Sequence, residues 1–65
     1  MKISLKAARV NAGLTIKQAA PLIGVGKDTL MKWEKYPWKV NSLYQKQISK
    51  VYRMPIDNII FLPIN

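Results

Sequence analysis

Read from the N-terminus, the chain divides into short segments whose apolar residues keep a helical spacing. Ser4 precedes LKAARVNA, which runs into Gly13, so an N-cap serine and a C-terminal glycine frame a first helix over about residues 4–12. Thr15 with Gln18 three positions on has the spacing of a capping box. Ile16, Ala19, Ala20 and Ile23 then fall at i, i+3, i+4 and i+7, one apolar face of a second helix closed by Gly24. Pro21 removes an amide that would bond to the Lys17 carbonyl, which predicts a kink or a shortened helix. KDTLMKWEK places Leu30 and Trp33 three apart on one side of a third helix over about 26–35.

The next stretch, YPWKV, reads as a loop. Asn41 or Ser42 can cap a fourth helix with Tyr44, Ile48, Val51 and Tyr52 on one face, ending near Arg53 before Met54 and Pro55. IDNIIF, entered through Pro55, fits one or two helical turns, and its β-branched residues also fit a strand. The expected core is Leu5, Ala8, Ile16, Ala19, Ile23, Leu30, Trp33, Ile48, Val51, Tyr52, Ile56 and Ile59 or Ile60.

Sixty-five residues suffice for one small domain, so no separate oligomerisation or ligand-sensing domain is expected within residues 1–65. The absence of cysteine and histidine removes disulfides, thiol nucleophiles, imidazole bases and the usual zinc ligands. Three carboxylates far apart in sequence offer no catalytic constellation, so neither an enzyme nor a cofactor or small-molecule substrate is expected. No stretch approaches the ~20 apolar residues of a membrane span, and the first ten residues lack the core of a signal peptide, which points to a cytoplasmic protein with no membrane partner. Eleven basic residues against three acidic ones give a net charge of +8, and a polyanion is the first partner this suggests. The basic residues are spread along the chain, unlike a disordered polybasic tail.

GVGKDT, residues 24–29, has the vocabulary of a phosphate-binding loop. The Walker pattern GxxxxGK[ST] demands more: position 21 is proline where glycine is needed, and position 28 is aspartate where a hydroxyl should meet magnesium. The motif must also follow a β-strand, whereas residues 15–23 read as a helix. Two helices joined by a glycine-bearing turn, the second opening on polar and basic residues, is instead the pattern of a helix-turn-helix.

GLTIKQAAPLIGVGKDTLMKWEK resembles the helix-turn-helix of the phage-repressor and Cro-like family, and VYRMPIDNIIF resembles that family's closing segment, so the likeness covers about Leu5 to Phe61. It rests most on Gly13-Leu14-Thr15, Ala20, Gly24-Val25, Leu30 and Trp33-Glu34. It implies an all-α, compact five-helix domain with a short last helix, whose third helix enters the DNA major groove. Three positions depart from the family's pattern: Pro21 lies inside the second helix, Gly26 replaces a small polar cap, and Arg53 stands where glycine is common. Arg53 is thereby expected to adopt positive φ, at about 1 kcal/mol.

By the resemblance, Arg9 and Glu34 form an ion pair tying the first helix to the end of the third. Lys27 and Asp28 face base edges, followed a turn later by Lys32; lysine can donate to guanine O6 or N7 and aspartate can accept from cytosine N4. Asp28 equally suits a helix N-terminus. Thr29 and Met31 can meet a thymine methyl, though Met31 can also cover the core edge. Thr15 matches a phosphate-contacting position that also caps its helix, and Lys17, Lys35 and Lys39 flank the groove-facing elements as phosphate candidates. Trp38 either packs over the core or lies against a sugar-phosphate backbone.

The implied function is a sequence-specific regulator of transcription that binds double-stranded DNA, a small repressor of a phage or mobile element. Two-fold operators imply a homodimer, at least on DNA, with half-sites ~34–36 Å apart. Ile60, Phe61, Leu62 and Ile64, in a tail more apolar than a solvent-facing terminus, are its interface candidates unless the tail folds onto its own core. The competing reading is a protein-interaction module, such as an antitoxin, using the same fold on a protein partner.

Overall fold

The computed structural model describes residues 2–62, and four α-helices carry most of them. α1 is Leu5–Asn11, α2 Ile16–Ile23, α3 Lys27–Lys35 and α4 Ser42–Tyr52. α1, α2 and α4 each begin at a side-chain cap. The Ser4 hydroxyl accepts from the Ala7 amide at 3.1 Å, and Asn41 Oδ1 accepts from the Tyr44 amide at 3.0 Å, which makes Asn41 rather than Ser42 the cap of α4. At α2 the capping box is complete: Thr15 Oγ1 accepts from the Gln18 amide at 3.2 Å, and Gln18 Oε1 accepts from the Thr15 amide at 2.9 Å. Pro21 does not shorten α2, which continues to Ile23; Pro21 and Lys17 are both exposed. α3 starts from Gly26, which supplies no side-chain cap.

The helical part of the all-α expectation holds, whereas the fifth element is not an α-helix. Ile56–Asn58 makes one 3-10 turn, and the chain then extends into β2, Ile59–Ile60. β2 pairs in parallel with β1, Ile3–Ser4, in the register Ile3↔Ile59 and Ser4↔Ile60. Two consecutive β-branched residues favour the extended form, and burying Ile59 against the core selects it. The predicted loop after α3 contains a second 3-10 turn, Pro37–Lys39.

Leu5 and Ala8 of α1, Ala19, Ala20 and Ile23 of α2, Leu30 and Trp33 of α3, and Ile48 and Tyr52 of α4 meet in one core. Trp33 packs on Tyr44 with ring centroids 5.1 Å apart. Of the residues expected inside, Ile16, Val51 and Ile56 are only half-buried against its edge, and Ile59 rather than Ile60 is the fully buried member of its pair. Val40 and Phe61 join the core from segments without helical periodicity. Burying a side chain of the size of Leu30 stabilises by about 1.5–3 kcal/mol, so Leu30 and Trp33 fix which way α3 faces. Among the described residues no helix is long and apolar enough to cross a membrane.

Candidate nucleic-acid interface

α3 is linked to α2 by Gly24, Val25 and Gly26 alone. Gly24 ends α2 at φ 96°, a left-handed turn that glycine adopts without strain, and its amide donates to the Ala20 carbonyl at 2.9 Å. With Leu30 and Trp33 turned inward, the other side of α3 presents Lys27, Asp28, Thr29, Met31, Lys32 and Lys35 to solvent. Met31 is 52% exposed, which places it on this open face and not over the core. Asp28 and Lys32 are one turn apart, yet no ion pair joins them; Asp28 lies in the first turn of α3, where the helix dipole favours its charge.

Behind that face the inward side of α3 is tied to α1. Arg9 Nε donates to Glu34 Oε2 at 2.6 Å, a second guanidinium nitrogen reaches Oε1 at 3.4 Å, and the third donates to the Leu14 carbonyl at 2.8 Å. Both charged side chains are only 11% exposed. The expected ion pair is therefore present, and Arg9 additionally holds the segment between α1 and α2. The hydrogen bond to Glu34 raises the Arg9 pKa further, against the opposing effect of burial, so the guanidinium stays charged. Tyr52 lies close enough to feel both charges, and its buried hydroxyl has no hydrogen-bond partner in the protein. Burial pushes the Tyr52 phenol up to about 12, with Glu34 adding to the rise and Arg9 opposing it.

Flanking α3 are the residues suggested for phosphate. Thr15 and Lys17 are exposed at the start of α2; the Thr15 oxygen accepts in the cap while its O–H proton remains able to donate outward. At the far end, Lys35 and Lys39 both extend over the ring of Tyr36, their Nζ atoms 5.4 and 5.1 Å from its centroid. Tyr36 was not singled out from the sequence, although its place between two lysines and beside Pro37-Trp38 was visible there. Trp38 packs edge-on against Tyr36, with centroids 5.5 Å apart, and is 47% exposed, so it lies on the surface and does not cover the core.

The apolar tail divides. Phe61 is buried in the chain's own core, Ile60 is half-buried, and Leu62 is 74% exposed; Ile64 lies outside the described residues. Ile60 and Leu62 border a groove of about 300 Å³ with Pro37 and Trp38.

Compared with protein-family models, curated proteins and solved structures, the chain has no match.

Proposed function

We propose that the chain is a sequence-specific regulator that binds double-stranded DNA: a helix-turn-helix protein of the Cro-like repressor type from a phage or mobile element, working in the cytoplasm. The observation that carries the reading is the two-sidedness of α3: its inner side is fixed by Leu30, Trp33 and the Glu34–Arg9 pair, and its outer side is free, polar and basic. A reading helix has to be held rigidly while its contact face stays uncommitted, and a net charge of +8 suits the partner.

In this reading α2 and α3 are the two helices of the motif, and α3 enters the major groove. Lys27 and Lys32 donate to guanine O6 and N7, Asp28 accepts from cytosine N4, and Thr29 and Met31 lie against thymine methyls. Thr15 and Lys17 hold one phosphate strand, and Lys35 and Lys39, steered by Tyr36, hold the other. A homodimer on a two-fold operator would form through Leu62 and Ile60, with Phe61 as internal support because it is already buried. Bound protein then acts by occupancy, blocking polymerase.

Fluorescence anisotropy on duplex DNA tests this directly. Three lysines on phosphates give a slope of log K against log salt of about −2.7 per protomer. Random duplex as competitor should displace an operator-like site poorly. Equal affinity for every duplex sequence would refute the reading.

A further inference from the structure

Two helices of this chain close with the same pair of return hydrogen bonds around a left-handed residue. At the end of α1 the residue is Gly13, φ 76°, with Gly13 N–H donating to Val10 O at 2.9 Å and Leu14 N–H to Arg9 O at 3.2 Å. At the end of α4 it is Arg53, φ 54°, with Arg53 N–H donating to Lys50 O at 3.3 Å and Met54 N–H to Ser49 O at 3.1 Å. Arg53 is the one non-glycine residue with positive φ among those described; α2 also ends on glycine. A side chain in this conformation is disfavoured, and residues held in it cluster at functional sites.

The surroundings of Arg53 show what its side chain can do. It borders a groove of about 500 Å³ with Asn11, Leu14, Leu22 and Val51. Leu22 is 55% exposed although it belongs to a packed helix. Among the described residues no carboxylate lines the groove: Glu34 is engaged by Arg9, Asp28 begins α3, and Asp57 borders a different groove with Gln45 and Phe61. No residue of α3 lines it either. The length of α4, eleven residues or about 16 Å, separates Arg53 from the Asn41 end where Lys39 lies.

We propose that this groove is a docking site for an acidic segment of a partner protein, which lays an apolar side chain against Leu22, Leu14 and Val51 and a carboxylate on the Arg53 guanidinium. A guanidinium presents paired N–H groups that match a carboxylate, and the Leu22, Leu14 and Val51 side chains beside it suit a peptide that carries an apolar residue next to its carboxylate. A second copy of this chain is a poor counterpart, because it carries three acids, one already paired, at a net charge of +8. With α3 outside the groove, the partner and DNA bind without competing for the same side chains. The proposal stands independently of the DNA-binding reading.

The test is selection from a displayed random-peptide library on the full chain at physiological salt. Enriched peptides are expected to carry Asp or Glu within one helical turn of Leu, Ile or Phe. The strongest, made synthetically, should shift the amide resonances of Asn11, Leu14, Leu22 and Arg53. Arg53→Gly and Leu22→Ser should each weaken it about tenfold or more, the first by losing a charge-assisted contact and the second an apolar one, and Arg53→Gly should do so without lowering the melting temperature. Failure to enrich acidic-apolar peptides, shifts centred on Lys27 and Lys32, or unchanged affinity in Arg53→Gly would overturn the proposal. So would Arg53→Gly weakening duplex DNA as much as a Lys17 variant does, since Arg53 would then be a phosphate contact.

Discussion

Replacing Glu34 by leucine leaves the Arg9 guanidinium almost fully buried with a single remaining acceptor, the Leu14 carbonyl. Breaking a buried ion pair from one side costs about 3–5 kcal/mol, and the residual exposure of both side chains places this pair near the lower figure. A domain of 65 residues has about 3–10 kcal/mol to lose. At about 4–8 °C per kcal/mol, Glu34→Leu should lower the melting temperature by about 12–24 °C. Arg9→Met should cost a comparable amount, because it strands the carboxylate. The double variant restores an apolar contact and leaves only the half-buried Leu14 carbonyl short of a donor, a penalty of about 1–2 kcal/mol. Urea denaturation followed by far-UV circular dichroism gives the three free energies. The expected coupling energy is about 4 kcal/mol, with the double variant more stable than either single one. Costs that add to within about 0.5 kcal/mol would refute the assignment of the pair as the tie between α1 and α3.

Two further substitutions probe the same reasoning. Tyr52→Phe removes a buried hydroxyl that has no partner in the protein, so it should cost no stability, and a loss above about 1 kcal/mol by urea denaturation would contradict this. Because the folded phenol is raised from 10.0 to about 12, the wild type binds more protons folded than unfolded between those values. Its stability therefore falls as pH rises through that window, and Tyr52→Phe should show a shallower fall in melting temperature over the same range. Gly26→Ser adds a capping oxygen at φ −73° where a Cβ meets nothing within 4 Å, and should stabilise α3 by about 0.5–1 kcal/mol, read as a rise in melting temperature. If DNA approaches the backbone there, the same variant should bind operator more weakly despite being more stable.

What the sequence disclosed follows the range of the interactions. The Thr15–Gln18 box and the Gly24 turn are settled within four residues, so the boundaries of α2 were legible. Asn41 over Ser42 was not, because both are competent caps and the choice depends on how Val40 enters the core. The pairing of Ile3 with Ile59 joins opposite ends of the chain, and no local pattern announces it; IDNIIF therefore stayed open between helix and strand. Half-buried Ile16, Val51 and Ile56 show a face that periodicity places correctly but whose depth only packing decides. At the candidate interface, the free side of α3 was visible from Leu30 and Trp33. The Arg9–Glu34 contact, 25 residues apart, came from family resemblance and not from spacing. The gathering of Lys35 and Lys39 on Tyr36 required the 3-10 turn between them, which a loop reading leaves undefined.

The central claim, that the outer side of α3 reads base sequence, is tested most directly by selecting bound duplexes from a random pool with the wild type and with Lys27→Glu, Asp28→Lys and Lys32→Glu. The account predicts a definite preferred site for the wild type and a changed base preference, confined to one or two positions, for each variant, with about 1–3 kcal/mol of discrimination per contact. A preferred site untouched by all three substitutions, or no preferred site at all, would contradict it.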